Sequence, residues 1–380
     1  MQNYRNSGTA EFYDVIGVMS GTSVDGLDLA HCRFELDPKS SWNYRIMHTE
    51  TVRYSQKWRD RLLNVIYSDP DEIFSLDVEF GEFIGRHVNK FIRKYKIVPR
   101  IIASHGHTVF HQPTRKITIQ IGDGIAINQI TGIPTINDFR KLDVILGGQG
   151  APLVPVGDAL LFPQFRFCLN LGGFSNVSFH RNRNRIAFDI CPVNIILNRL
   201  ARKAGKPFDK NGSMGRRGKL IPKMLERLNN LDYYSKPFPK SLGLEWVDKN
   251  IMPILEKYSG VQDAITTYTH HVASQINQSL ISFASGGRGI SRVLVSGGGA
   301  FNSYLIELLG KAGKGKLAYE IPEPDLVNFK EAMIFGFLGV LRLRGEINTL
   351  RSVTGASRDS CGGTLHDNSG ILQKPGKTAE

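Results

Sequence analysis

β-branched and other apolar residues flank a polar turn in VIGVMSGTSVDGLDLAHCRFEL, Val15 to Leu36. This predicts a β-hairpin whose tip carries Ser20, Gly21, Thr22, Ser23, Asp25 and Gly26. Helical patterns follow around Gln56 to Val65 and Ser75 to Lys94, then a strand at Arg100 to Phe110. A polar, glycine-rich passage runs from Thr118 to near Phe162. FRFCLNLGGFSNVSFHR, Phe165 to Arg181, then repeats the opening grammar of apolar strand, glycine turn and second strand. Further on, a strand of Val293, Leu294 and Val295 feeds Gly297, Gly298 and Gly299 into an amphipathic helix, with Asn302 near its first turn. Alternating strand and helix patterns argue an α/β protein. The shared pattern suggests two related halves, each presenting a turn to a common cleft.

Composition narrows the class. A chain of 380 residues has room for two cored domains, and 41% hydrophobic with 22% charged residues is ordinary for a globular protein. The longest apolar run, MIFGFLGVL at Met333 to Leu341, is far shorter than the roughly 18 residues a membrane helix needs. The polar start MQNYRNSGTAEFYD has no apolar leader, so a cytoplasmic protein with no membrane partner is expected. Cys32, Cys168, Cys191 and Cys361 lie far apart and suggest neither a zinc site nor a disulfide framework. The net charge of +13 is spread along the chain, with only short clusters such as RNRNR at Arg181 to Arg185 and no interleaved aromatics. That pattern argues against nucleic acid and for a basic surface that draws in a nucleotide or an acidic sugar.

The candidate chemistry sits at the turns. One glycine turn can be simple hairpin geometry. Three in this order, two strand–turn–strand and one strand–turn–helix, match the layout of actin-like and hexokinase-like ATPases. Phosphoryl transfer needs positioning and charge neutralisation, which the hydroxyls of Ser20, Thr22 and Ser23 and an Mg²⁺-organising carboxylate, Asp25, can supply. No G-x-x-x-x-G-K-[ST] occurs, which excludes a P-loop enzyme. His105, His107 and His111 have spacing a metal could use but no companion ligand nearby, so no metal site is expected of them and a sugar-pocket role fits better. Asp189 in AFDICPVN reads either as a helix N-cap or as a cleft base, and its place after the second turn favours the base. Glu331 reads as a first-turn helix residue or a pocket residue.

Seven blocks, GVMSGTSVDGLDLA, ASHGHTVFHQP, TIQIGDG, DFRKLDVILGGQGAPLVP, LNLGGFSNVS, SGGGAFN and EAMIFGFLG, together resemble the anhydro-N-acetylmuramic acid kinase family, in order from about Gly17 to about His366. The resemblance implies a two-domain, actin-like (duplicated ribonuclease H-like) ATPase fold, usually dimeric. The expected division is 1–140, which the C-terminal segment can join, and 141–366, with a flexible tail at 367–380 where the sequence is rich in Gly, Asp, Asn and Lys. It also implies use of ATP and Mg²⁺ to convert 1,6-anhydro-N-acetylmuramic acid and water to N-acetylmuramic acid 6-phosphate in peptidoglycan recycling. Carried over by motif, Ser20, Gly21, Thr22, Ser23, Val24, Asp25, Gly26 and Leu27 form the nucleotide-phosphate turn, with Gly172, Gly173, Gly297, Gly298 and Gly299 also lining the nucleotide cleft. His105, Gly106, Arg140, Gln149 and Glu331 lie near the sugar, and Asp189 activates water. Two departures are visible. Cys191 and Val193 replace glycines of the family pattern Asp-x-Gly-Pro-Gly-Asn, reducing backbone freedom beside the base, and Gly157-Asp158 stands where Phe-His is usual. They keep open an actin-like ATP-binding regulatory protein without sugar chemistry, or a kinase for another amino sugar.

Overall fold

A computed structural model describes residues 10–21, 24–284 and 289–367; Thr22, Ser23 and the tail from 368 lie outside the described residues. The described residues up to Leu161 and from Phe329 on form one compact unit, and residues 162–328 form a second. This differs from the boundaries expected at 140 and 366, for a packing reason. Residues 141–161 include the helix Val154–Leu161, whose Gly157 would place a Cβ 2.8 Å from Ile334 Cγ2 of the helix Pro324–Arg344. The next residue, Asp158, pairs with Lys330 Nζ at 2.6 Å, with both side chains buried.

In the first unit β1 (Glu11–Ser20), β2 (Gly26–Leu36) and β3 (Trp42–Arg53) form an antiparallel meander. The fourth strand, β4 (Ile101–Ser104), runs parallel to β1. Strands β5 (His107–Gln112) and β6 (Ile117–Ile121) pair only with each other in a two-stranded sheet, and β7 (Thr135–Asn137) lies parallel beside β4. A short strand, Thr364–His366, closes the edge against β7. The expected strand at Arg100 to Phe110 is therefore two strands in different sheets. The chain bends at His105-Gly106, where Gly106 takes φ +70° and a Cβ would strike the Ile121 carbonyl.

Strand β1 explains its own apolar run, because both its faces are covered. Ile16 and Val18 point into a cluster with Phe80, Ile84 and Val88 of the helix Pro70–Tyr95, which begins a turn earlier than the pattern from Ser75 indicated. On the other face Val15 and Gly17 meet the helix Pro324–Arg344, where a Cβ on Gly336 would lie 3.5 Å from Val15 Cγ1 and from Gly17 Cα. Gly17 is required there, since a Cβ would run into the Ala332 carbonyl. The close approach sets where Glu331, the preceding residue, is held.

The second unit repeats the plan. β8 (Phe167–Leu171), β9 (Phe174–Arg181) and β10 (Asn184–Pro192) form the meander, β11 (Ser291–Ser296) runs parallel to β8, and β12 (Leu317–Glu320) parallel to β11. The order β10-β9-β8-β11-β12 reproduces β3-β2-β1-β4-β7 strand for strand. This is the duplicated, ribonuclease H-like arrangement of actin-like ATPases, so the two related halves are real at the level of topology. The helix Val261–Ala284 buries Tyr268, Val272, Ile276 and Leu280, four residues at i, i+4, i+8 and i+12. Among the described residues no helix is long and apolar enough to cross a membrane.

Candidate active site

In the first unit the described residues of the expected hairpin tip are Ser20, Gly21 and Val24 to Leu27. Ser20 ends β1, is buried, and its Oγ lies 3.1 Å from His107 Nδ1 while accepting from Tyr54 Oη at 2.8 Å. Burial holds the His107 imidazole down at about 4 and keeps the Tyr54 phenol protonated. Tyr54 therefore donates to Ser20, and Ser20 donates to a neutral His107. That hydroxyl is spent inside the fold rather than offered at the surface.

The turn then closes through Val24 N donating to Gly21 O at 3.1 Å. Val24 has φ +54°, a left-handed conformation that costs a β-branched residue on the order of 1–3 kcal/mol, and it is buried in the core together with Leu27. Gly26 is needed for pairing, because a Cβ would sit 2.7 Å from Val52 O. Of the described tip residues, Asp25 is the exposed one. Its neighbour Asp28 accepts from Thr51 Oγ1 at 2.6 Å, and burial with the Asp25 charge raises its pKa.

The expected sugar-side residues of this unit do come together. Arg140 donates from Nε to His105 Nε2 at 2.9 Å and from Nη1 to Gly150 O at 2.8 Å. A guanidinium can only donate, so His105 Nε2 carries no proton and Nδ1–H donates to Gly106 O at 2.9 Å. Burial, helped by the Arg140 charge, keeps the His105 imidazole neutral, well below its ordinary pKa. Arg140 itself is lowered to about 10 by burial, against the opposing Glu331 charge.

Glu331 lies about two turns inside the Pro324–Arg344 helix, not in its first turn. It is solvent-exposed, whereas Phe335, one turn on, packs 4.6 Å from the His105 ring. Gln149 keeps an exposed side chain, and its backbone N donates to Thr354 O at 2.8 Å. Sequence reading missed the anchor of this loop. Buried Asp143 accepts from Gly150 N at 2.7 Å and from Thr354 Oγ1 at 2.7 Å.

In the second unit Asp189 sits in β10 and not at a helix N-cap; Val193 holds that place for the helix Asn194–Lys203. The pairing of β10 with β9 shifts register between Asp189 and Cys191, a bulge of the kind that re-aims a side chain. Three contacts fix the residue. Leu242 N donates to Asp189 Oδ2 at 2.9 Å, Tyr233 Oη donates to Asp189 O at 2.7 Å, and Asp189 N donates to Lys240 O at 3.2 Å. Burial raises the carboxyl pKa and the Leu242 N–H partly restrains it. No motif pointed to Tyr233, Lys240 or Leu242, because they reach Asp189 only through the fold.

Both departures beside Asp189 are buried core residues. Cys191 accepts through its carbonyl from Ser175 Oγ at 3.0 Å, and Val193 adopts φ −125°. Neither residue takes the positive φ for which glycine is favoured. The Gly172-Gly173 turn accepts, through its carbonyls, the N–H groups of Val193, Asn194 and Ile195 at 2.7 to 3.3 Å. Gly297 follows β11 at φ +80°, and a Cβ on it would collide with Asn170 Oδ1. A 3₁₀ turn over Gly298–Phe301 then leads to the helix Ser303–Ala312, whose N-cap Asn302 accepts from Leu305 N at 3.0 Å. Among the described residues no three His, Cys, Asp or Glu side chains are grouped to hold a metal, and His107 and His111 instead hydrogen-bond Ser20 and Thr118.

The duplicated α/β arrangement with glycine turns at the strand ends is the actin-like ATPase fold. A model of the anhydro-N-acetylmuramic acid kinase family matches residues 13–368, and the chain belongs to that family. It is 33% identical over 383 residues to the anhydro-N-acetylmuramic acid kinase of Acinetobacter baylyi, across 92% of this chain and 98% of that protein. It is 34% identical over 364 residues to the one from Pseudomonas putida, across 90% and 96%. Among solved structures, the (R)-2-hydroxyglutaryl-CoA dehydratase component A of Acidaminococcus fermentans is similar at a TM-score of 0.42 and 12% identity, over 85% of this chain and 95% of that one.

Proposed function

We propose that this kinase opens 1,6-anhydro-N-acetylmuramic acid with water and transfers the γ-phosphoryl group of ATP to O6, giving N-acetylmuramic acid 6-phosphate. Family membership supports the reaction, and the observation that carries the mechanism is the single carboxylate of Asp189, half-buried and held by Leu242 N–H. Glycoside hydrolysis ordinarily needs one carboxylate to deprotonate water and a second to protonate the leaving oxygen. Here the leaving oxygen is O6 of the same sugar, and the phosphoryl group takes the place of the proton. The C1–O6 bond breaks as water oxygen bonds to C1, O6 bonds to the γ-phosphorus, ADP departs, and the water proton passes to Asp189. A raised pKa makes Asp189 a better proton acceptor than an exposed aspartate.

Mg²⁺ takes few protein ligands and relies on phosphates and water, which suits an exposed Asp25 in the absence of a larger described cluster. Bound there, it would neutralise phosphate charge. Ser20 to Leu27, with Ser20 acting through its backbone because Tyr54 and His107 engage its hydroxyl, and Gly172, Gly173 and Gly297 to Gly299 are proposed to hold the nucleotide, and His105, Gly106, Arg140, Gln149 and Glu331 the sugar. In this reading the enzyme works in the cytoplasm as a homodimer, so light scattering should give about twice the 42.4 kDa chain mass.

The reaction is tested by ADP release with and without the anhydro sugar, run in oxygen-18 water. Stimulation by that sugar with label at C1 is expected. Stimulation without label would mean phosphorylation of a pre-existing hydroxyl, and no stimulation would remove the sugar reaction.

A further inference from the structure

The second unit contains a cavity of about 420 Å³ against β10, a size typical of small-molecule sites. Its walls are aromatic. Phe188 and Phe238 lie 5.9 Å apart and nearly parallel at 11°, and Phe283 lies 5.8 Å from Phe238. Its charged lining is cationic, from Arg181, Lys236 and Lys240, and none of its lining residues is acidic. The Arg181 guanidinium stands over the rings of Phe238 and Phe283 at 5.4 and 5.5 Å, and Lys240 Nζ over Phe188 at 5.8 Å. Three like charges around one concavity repel each other, and a bound anion relieves that repulsion while ring faces accept an apolar body.

The same wall holds Asp189. Phe188 and Ile190, which flank it in β10, line the cavity, as do Tyr234 and Lys240 from the segment whose Tyr233 hydroxyl, Lys240 carbonyl and Leu242 N–H grip Asp189. We propose that this cavity binds a small organic anion with an aromatic or apolar body, and that occupancy alters turnover through the Tyr233–Leu242 segment. The second half rests on the role proposed for Asp189; the first does not.

The probe is 1-anilinonaphthalene-8-sulfonate, titrated by fluorescence into the full chain with saturating ATP present. The comparison is the surface variant Arg181→Glu/Lys236→Glu, with uncharged N-phenyl-1-naphthylamine as control. Both substituted residues are exposed, and unchanged circular dichroism and melting would verify that the fold persists. One saturable site is expected in the wild type, weakened at least tenfold in the variant, with naphthylamine binding changed less than twofold. Absent saturable binding, equal binding to the variant, or displacement by ATP would overturn the site. Sugar-dependent kcat should change at least twofold with the sulfonate bound in the wild type only. An unchanged kcat at saturation would overturn the coupling, and a chain without sugar kinase activity would still report on the binding.

Discussion

Asp189→Asn removes the proposed base while preserving its surroundings. The amide is nearly isosteric, and its Oδ1 can still accept from Leu242 N–H, a bond now 2.9 Å long. Turning a charge-assisted bond into a neutral one costs about 1 kcal/mol, and removing a charge that burial disfavours offsets it, so stability should change little. The backbone bonds to Tyr233 and Lys240 are untouched. Catalysis should suffer far more. A positioned general base contributes roughly 10²- to 10⁴-fold, so kcat should fall by about that factor, or roughly 3–5 kcal/mol in the barrier. Steady-state ADP release with saturating sugar gives kcat, and a melting curve gives the stability. ATP binding should stay nearly intact. The pH profile is a second readout. The folded Asp189 pKa is raised by burial, so the wild-type rate should fall as pH drops through a midpoint above the ordinary aspartate value of 3.8. The variant should lose that limb. A kcat within tenfold of wild type, or the same acid limb in Asp189→Asn, would refute the assignment.

The other perturbations separate nucleotide, sugar and structural roles. Gly297→Ala forces a Cβ into Asn170 Oδ1 at φ +80°, a strain of roughly 1–2 kcal/mol, and should raise the KM for ATP with little effect on the KM for sugar; equal ATP KM values would count against this turn. Arg140→Lys loses the fork shared between His105 Nε2 and Gly150 O, and should raise the sugar KM about tenfold, about 1.4 kcal/mol, at unchanged ATP KM. Ser20→Ala strands Tyr54 Oη and His107 Nδ1 in the core and should cost about 1–3 kcal/mol in urea unfolding. A stable Ser20→Ala enzyme with a raised ATP KM would mean that Ser20 serves phosphate instead.

Local pattern was sufficient for the α/β class, the opening hairpin, the glycine turns and the ordered motifs that mark the family, because strand alternation and turn chemistry are properties of neighbouring residues. It also marked Asp189 as a candidate, a lone carboxylate in an apolar segment, whose role as base is the proposal made above. It could not show that Arg100 to Phe110 breaks into two sheets, because the break depends on β5 finding β6 across a turn. Nor could it place 141–161 beside the part of the Pro324–Arg344 helix from Phe329 on in the first unit, which follows from Gly157 meeting Ile334 and Asp158 meeting Lys330. Ser20 looked like a phosphate ligand until the fold brought Tyr54 and His107 to its hydroxyl from positions 34 and 87 residues away. Tyr233 and Leu242 could not be assigned to Asp189 beforehand for the same reason. Hydrogen bonds between distant segments leave no periodic trace in a sequence, and only tertiary packing decides which polar groups are consumed by the fold and which remain to act.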